Sequence, residues 1–213
     1  MRTDALIESL SALAEPVPRA MVWRRLALGA GAGGAVSLGL MLAWLGVRPD
    51  LAQAMATGAY WMKFFYTLVF AGAAFWTLER LSRPGAPSRS QMLLEALPFA
   101  AVAAIAAVEL MGAAPSARHH LMMGASAGVC PWRIVLLALP VLAGAIWSVG
   151  RLAPTRPVLA GIGAGLAAGA LGAFIYAFHC DESAAPFVAI WYTLGIAAVG
   201  ALGGLLGRLF LRW

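Results

Sequence analysis

The stretch PVLAGIGAGLAAGALGAFIYAFHCDESAAPFVAIWYTLGIAAVGALGGLLGRL, residues 157–209, decides the class of this protein. It contains two apolar runs, and each is long enough to cross a lipid bilayer, since a spanning helix needs roughly 20 apolar residues. A short polar gap, HCDES at residues 179–183, separates the two runs. The stretch therefore predicts two transmembrane helices joined by a loop that carries a histidine, a cysteine and two acids.

The rest of the chain has the same character. Of its 213 residues 62% are hydrophobic and only 11% are charged, and the mean hydropathy is +0.84. A soluble protein has about 25% charged residues. Segments of spanning length predict an all-α, polytopic membrane protein with a bundle of six transmembrane helices at residues 26–46, 60–78, 92–112, 132–150, 157–178 and 187–209.

The composition also excludes some classes of function. The net charge is +6, but the basic residues punctuate apolar segments instead of lining one solvated face, so we expect no direct nucleic-acid partner. The sequence lacks a Ser-His-Asp set, a glycine-rich phosphate loop after a strand and a helical HExxH motif. We therefore expect no enzymatic activity and no obligatory cofactor.

The positions of the positive charges predict the orientation in the lipid bilayer, because cytoplasmic loops carry the excess of Lys and Arg. Eleven of the 15 lie in the N-terminal segment, the second and fourth loops and the C-terminus, and four lie on the other side: Arg48, Lys63, Arg118 and Arg133. The eight Trp residues lie near predicted span ends, where membrane proteins concentrate them. We expect both termini in the cytoplasm.

The first 25 residues form a segment of their own. Thr3 or Asp4 can cap a short helix that Pro16 ends, and its apolar residues recur at helical spacing: Leu6, Ile7, Leu10 and Leu13. Its other face is acidic, whereas helices that lie on a membrane surface favour Lys and Arg. The chain therefore divides into a cytoplasmic segment, residues 1–25, and a six-helix transmembrane domain, residues 26–213. The helix of the first segment either lies on the membrane surface or, as its acidic face favours, binds a soluble partner.

In this topology the third and fifth loops face the outer side, and they contain both cysteines and all three histidines. Met122 and Met123 add two thioethers. Thiolate, imidazole and thioether groups bind soft and borderline metal ions. The loops predict a site for a sensed copper, zinc or cadmium ion, with Cys130, Cys180 and His179 as ligands and His119, His120, Met122 and Met123 as possible additions.

Three interpretations of the two cysteines stay open. In the first, the cysteines form a sensor that binds the metal ion or is oxidised reversibly. In the second, they form a structural disulfide, since the outer side of a bacterial membrane is oxidising. In the third, they are unpaired and contribute only to packing. Cys130 precedes Pro131 at the start of the fourth span, where the helix N-terminus stabilises a thiolate.

The spans themselves carry two further signals. Lys63 and Glu109 lie near outer span ends, where ionisable side chains either mark a functional site or snorkel to water, and we expect both to snorkel. Small residues at four-residue spacing let helices pack closely. Such glycines predict close packing within the bundle, or else a homodimer face: Gly29, Gly33, Gly161, Gly165, Gly169, Gly200 and Gly204.

Three stretches resemble the NrsF-type proteins, which are six-span inner-membrane anti-sigma factors of proteobacteria. They are TDALIESLSALAEPV near the N-terminus, GASAGVCPW at the start of the fourth span, and RLAPTRP through FHCDESAAPFVAIWYTLGI. The similarity covers essentially the whole chain. Its most specific parts are Cys-Pro-Trp and His-Cys-Asp-Glu-Ser followed by Trp-Tyr.

The resemblance implies a multi-pass protein of the bacterial inner membrane that sequesters an extracytoplasmic-function sigma factor. Residues 1–25 would hold the sigma factor through Leu6, Ile7, Leu10 and Leu13, and residues 26–213 would form the sensor domain. The sensing cysteines, by motif position, would be Cys130 and Cys180. Six spans and Glu109 also suit a small metal or solute transporter, and a subunit of a larger membrane assembly is a third possibility.

Overall fold

The computed structural model describes residues 3–4, 7–8, 12, 20–83 and 89–211, with side chains from residue 95 onward in the last range. This part of the chain is all-helical and contains no strand, as predicted. Helices α1 to α8 span Met21–Trp44, Leu51–Ala54, Gly58–Leu81, Arg89–Gly112, Pro115–Met123, Cys130–Gly150, Pro157–Tyr176 and Ala185–Phe210. Within α8, residues Val188–Tyr192 form a π-helical segment.

Among the described helices, five are long and apolar enough to cross a membrane. They are α1, α6, α7, α8 and the part of α4 that spans Glu95–Gly112. The predicted second span lies in α3, which has 24 residues but is not among these five. Buried polar side chains lower its hydropathy: Lys63, Thr67 and Thr77. The six-span topology therefore stays a prediction.

Helix α7 lies at the centre of the bundle. In the apolar 18-residue stretch of α7, 67% of the residues are buried, compared with 17% in the corresponding stretch of α4. Helix α7 packs against α8, α3 and α6, while α1 packs on α6 and α4 contacts α3 and the start of α8. Because α7 consists largely of Gly and Ala, neighbouring helices can approach it closely from several sides.

Glycines make the closest of these helix contacts. A Cβ added at Gly161 would lie 2.2 Å from the carbonyl oxygen of Gly203, and one at Gly29 would lie 2.4 Å from that of Gly144. We call the contact of α7 with α8 the glycine seam, formed by Gly161, Gly165, Gly203 and Gly207. The predicted packing within the bundle is confirmed for Gly29, Gly161 and Gly165, and the homodimer stays a prediction.

The loop between α4 and α6 contains a helix that we did not predict. Pro115 stands at the start of α5, where its fixed φ suits the first helical turn and its missing N–H has no partner to lose. Gly124 ends the helix with a φ of +51°, a conformation that glycine adopts without steric cost. The two predicted histidines and two methionines of this loop therefore lie on a helix.

Candidate functional site

The two cysteines of the chain meet at one end of the bundle. Cys130 is the first residue of α6, and Cys180 lies just past the end of α7, where its N–H donates to the Tyr176 carbonyl at 3.0 Å. Both are free thiols, 0% and 2% exposed. The Cys130 thiol hydrogen bonds to Cys180. The fold therefore joins two residues that stand fifty positions apart.

Two tyrosines line the cysteine pair. Tyr176 and Tyr192 are fully buried, and their ring centroids lie 5.9 Å apart. Tyr192 belongs to the π-helical segment of α8, and such segments often occur at functional sites because they shift the side chains that follow. The Tyr192 hydroxyl lies beside Cys180 but has no well-formed hydrogen bond with any residue in the described ranges.

Lys63 of α3 completes the group that we call the cysteine pocket: Cys130, Cys180, Tyr176, Tyr192 and Lys63. Its ammonium is 0% exposed and donates to the carbonyl oxygens of Cys180 at 2.8 Å and Glu182 at 2.7 Å. It also lies 5.9 Å from the centre of the Tyr192 ring. The prediction that Lys63 snorkels is wrong, because these two carbonyls draw the side chain into the protein.

Arg48, in the segment between α1 and α2, holds the same loop from the other side. One guanidinium nitrogen donates to the Cys180 carbonyl at 3.1 Å. The other two bind both carboxylate oxygens of Asp50, each at 2.7 Å, and this hydrogen bonding lowers the pKa of Asp50. The Cys180 carbonyl thus accepts hydrogen bonds from two cationic side chains, Arg48 and Lys63.

Cys180, and not Cys130, has the interactions that stabilise a thiolate. Its pKa is lowered to about 6, because Cys130 donates a hydrogen bond to it and the Lys63 ammonium lies near, and together these outweigh the effect of burial. From the helix N-terminus we had expected the thiolate at Cys130. That expectation considered one helix alone, whereas neighbours from α3 and α6 decide which sulfur carries the charge.

His179 is the neighbour of Cys180, but both of its ring nitrogens are engaged elsewhere. Nε2 lies 3.3 Å from an Arg133 nitrogen, which can only donate, so Nδ1 donates to the Gly46 carbonyl at 3.0 Å. Within the described ranges, no three His, Cys, Asp or Glu side chains come together as a metal site. The predicted ligand set of Cys130, Cys180 and His179 is therefore not assembled in this conformation.

The other predicted ligands lie on α5. His119 and His120 are exposed, and Met123 is partly exposed. Helix α5 is joined to the bundle by a backbone hydrogen bond, in which the carbonyl of Met122 accepts from the Trp191 indole at 2.9 Å. Participation of the α5 side chains in a metal site stays a prediction.

Two glutamates connect separate segments at the cysteine end of the bundle. Glu182 accepts a hydrogen bond from the Ala125 N–H at 2.6 Å and packs on Gly124, where a Cβ would lie only 2.5 Å from its carboxylate. Glu109 of α4 accepts from the Ala185 N–H at 2.9 Å, so it caps the start of α8. The prediction that Glu109 snorkels is therefore replaced by a role in fixing α4 to α8.

A polar cavity of about 520 Å³ lies next to the cysteine pocket. It is lined by residues from both sides of the Cys180 loop: Leu45, Val47, Arg48, Pro49, Asp50, Arg133, His179 and Asp181. Because His179 and Asp181 are the chain neighbours of Cys180, a small solute in this cavity would be one residue from the buried sulfur. Bulky reagents have no comparable access to a side chain that is 2% exposed.

Sequence reasoning missed Lys63, Tyr176 and Tyr192 as members of the site. Tyr176 stands four residues before Cys180, a spacing that places both on one side of a helical turn. Lys63 is the single basic residue in the predicted second span, a signal that can mark a functional site. Tyr192 belongs to the Trp-Tyr pair of the family resemblance, but its spacing did not indicate a role beside Cys180, because the π-helical segment sets its direction.

The predicted sigma-binding residues fall largely outside the described part of the chain. Leu6, Leu10 and Leu13 lie outside it, and Ile7 is helical and 60% exposed. An exposed apolar side chain on a helix is consistent with a partner-binding role. The assignment of these four residues stays a prediction.

Comparisons with known proteins identify the family. The family model of NrsF, a negative regulator of sigma F, matches residues 10–213. Over the full length of both chains, the sequence is 43% identical to the anti-sigma-F factor NrsF of Caulobacter vibrioides (strain NA1000 / CB15N). It is 42% identical to the probable anti-sigma-F factor NrsF of Azospira oryzae (strain ATCC BAA-33 / DSM 13638 / PS), again over both full lengths. No solved structure matches the chain. The chain therefore belongs to the NrsF family of negative regulators of sigma F, a family of regulatory proteins and not of enzymes.

Proposed function

We propose that this protein is an inner-membrane anti-sigma factor with six spans and both termini in the cytoplasm. Its segment 1–25 sequesters an extracytoplasmic-function sigma factor, and a chemical change at Cys130 and Cys180 on the outer side releases that factor. The observation that carries this proposal is the meeting of the two cysteines in one buried, reduced pair. Family membership supports the sigma-factor partner.

The exposed aromatic side chains support the membrane topology. Tryptophans near the helix ends project from the bundle: Trp23, Trp44, Trp76, Trp132 and Trp147 are each more than half exposed. Membrane proteins carry such rings at both interfaces. Helix α3, with 24 residues, is about 36 Å long and is therefore long enough to serve as the sixth span.

The pair can respond to two kinds of agent. A two-electron oxidant converts it into a disulfide: the S–S bond forms, and the two thiols pass two electrons and two protons to the oxidant. A soft ion such as Cu(I) binds both sulfurs and displaces the same protons. With His179 bound to Arg133 and Gly46, a two-sulfur reaction suits this arrangement better than a tetrahedral zinc or cadmium site.

The size of the required signal favours the two cysteines acting together. Moving a two-state protein from 1:99 to 99:1 takes a difference in binding free energy of about 5.5 kcal/mol. A covalent bond or coordination by two thiolates can supply this, whereas a single weak histidine contact cannot. The change then favours one of two arrangements of the packed helices. This rearrangement transmits the signal to the cytoplasmic segment.

The direct test measures sigma-factor release in cells. The full-length protein, tagged at its C-terminus, is used to capture the sigma factor before and after the cells are treated with diamide or with a copper salt. We expect the wild type to lose the captured sigma factor after at least one treatment. The double variant Cys130→Ser, Cys180→Ser should retain it.

The matched control is His119→Ala, His120→Ala, which removes the exposed imidazoles of α5 and leaves the cysteines intact. We expect this variant to release the sigma factor as the wild type does. Normal release by the double cysteine variant would overturn the assignment of the sensor, and failure to capture any sigma factor would overturn the proposed function as a whole.

A further inference from the structure

Lys63 is an unusual cation because it is buried without a carboxylate partner in the described ranges, although the Cys180 thiolate lies near it. Its side chain is 0% exposed, and it makes no ion pair with a carboxylate anywhere in residues 20–83 or 95–211. Burying a charge that has no carboxylate partner is costly, and an ammonium within a membrane domain is more costly still. A methionine or leucine would occupy the same position at lower cost. The charge therefore indicates a function beyond packing.

The partners of Lys63 show what that function concerns. The ammonium bridges the carbonyl oxygens of Cys180 and Glu182, at 2.8 Å and 2.7 Å, so the chain between them bends around one nitrogen. The same short loop carries one of the two thiols. Lys63 stands on α3, whereas the thiols belong to α6 and to the loop between α7 and α8. It is therefore the side chain through which α3 contacts the cysteine pair.

We propose that Lys63 is the positioning residue that couples the state of the cysteine pair to helix α3. In the reduced protein it fixes the Cys180 loop so that the two sulfurs stay in contact. Formation of an S–S bond, or binding of both sulfurs to one ion, moves the Cys180 backbone and breaks the bridge of Lys63 to the two carbonyls. This proposal rests on the proposed function, since it describes how that function's sensing step is transmitted.

Helix α3 has the contacts that such a role requires. Twelve residues after Lys63, about 18 Å along the helix, Phe75 packs edge-on against Trp23 at a centroid distance of 6.1 Å. Trp23 lies in the first turn of α1, at the end of the N-terminal segment 1–25. One helix therefore contacts the cysteine loop at one end and the base of the N-terminal segment at the other.

The first test measures disulfide formation by the purified full-length protein in lipid nanodiscs. Diamide accepts two electrons and two protons as the Cys130–Cys180 bond forms, and mass spectrometry follows the yield of the linked peptides. We expect Lys63→Met to slow this reaction by about ten-fold or more, because a displaced loop separates the sulfurs. Lys63→Arg, which keeps a cationic donor, should restore the rate to within about three-fold of the wild type.

Tyr66→Phe is the matched control, because Tyr66 lies on the same helix, one turn away, and hydrogen bonds to Thr193 of α8 at 2.7 Å without touching the cysteine loop. Its oxidation rate should stay within about two-fold of the wild type. A Lys63→Met variant that folds and is oxidised at the wild-type rate would overturn the proposal.

The second test needs no variant and covers the case in which Lys63→Met does not fold. Hydrogen exchange is measured on the wild-type protein, reduced and then oxidised with diamide. We expect residues 58–66 of α3 to exchange at least about three-fold faster after oxidation, and residues 199–207 of the glycine seam to be unchanged. Unchanged exchange in residues 58–66 of fully oxidised protein contradicts the coupling. Both tests omit the sigma factor, so their failure is distinct from a failure of sigma-factor release.

Discussion

Along the glycine seam α7 and α8 touch backbone to backbone, whereas around the cysteine pocket α3, α6 and the α7–α8 loop are joined by polar side chains. In the seam a Cβ at Gly165 would lie 2.3 Å from the Val199 carbonyl oxygen. In the pocket Lys63 reaches two carbonyls and the two sulfurs meet. Shape complementarity holds the seam, whose glycines carry no reactive side chain. The pocket depends on a few directional contacts that one reaction can break.

The largest effect should come from filling the glycine seam. Gly165→Ala should lower the free energy of unfolding by about 3 kcal/mol, because the new methyl group overlaps backbone atoms that cannot move aside. Gly39→Ala in α1 is the control, since nothing lies within 4 Å of its added Cβ, and it should raise stability by about 0.5 kcal/mol. Unfolding in SDS, followed by circular dichroism, gives both values. Equal effects at the two positions would mean that the seam is not close-packed.

The pH dependence of Cys180 reactivity tests the polar contacts of the pocket. The thiolate is the reactive form, so a pKa of about 6 predicts that labelling by methyl methanethiosulfonate is lost as the pH falls through 6. Cys130→Ala removes the hydrogen-bond donor, so the pH at which Cys180 is half labelled should rise by about one pH unit or more. At a pH below this midpoint, a rise of one unit means about ten-fold less thiolate. Peptide mass spectrometry reports the labelling of Cys180 alone. An unchanged midpoint would show that the two thiols do not interact.

Glu109 tests whether α4 is fixed to the bundle by a single cap. Glu109→Ala leaves the Ala185 N–H without its acceptor and should lower the free energy of unfolding by about 1 kcal/mol. Glu109→Gln keeps an acceptor oxygen and should lose less than half of that amount. SDS unfolding measures both variants. A larger loss for glutamine than for alanine would contradict the capping role.

The smallest effect should come from the contact between Tyr66 and Thr193. A double-mutant cycle with Tyr66→Phe and Thr193→Val should give a coupling free energy of about 0.6 kcal/mol, the average for hydrogen bonds between membrane helices. The cycle is measured in the same SDS assay. A coupling of several kcal/mol would mean that this polar contact, and not the glycine seam, holds α8 in place.

Much of the fold could be predicted from the sequence because its signals are local. Hydropathy located the long helices to within a few residues. Helix α3 differs from the other predicted spans in that its polar side chains lower its hydropathy. The four-residue glycine spacing predicted close helix packing, which the contacts of Gly161 and Gly165 in the glycine seam confirm. The missed helix α5 has a nine-residue sequence that is not apolar, so hydropathy gave no signal for it.

The site was predictable only in part. The sequence predicted that Cys130 and Cys180 lie near each other, at the same end of the bundle, but His179, their predicted companion, is engaged by Arg133 and Gly46. Lys63 was expected at the surface and is instead buried beside Cys180. A side chain's neighbours in space determine these outcomes, and no spacing along one chain encodes them.

By itself, the sequence determined that this protein is an apolar helical bundle with two cysteines, and it determined the family through motifs that lie along one chain. These properties sum over consecutive residues, so they are readable without a fold. Only the tertiary structure decided that the two sulfurs meet, that the thiolate falls on Cys180, and that Lys63 holds the loop. The reason is that hydrogen bonds and charges act over a few ångströms between helices that are far apart in sequence.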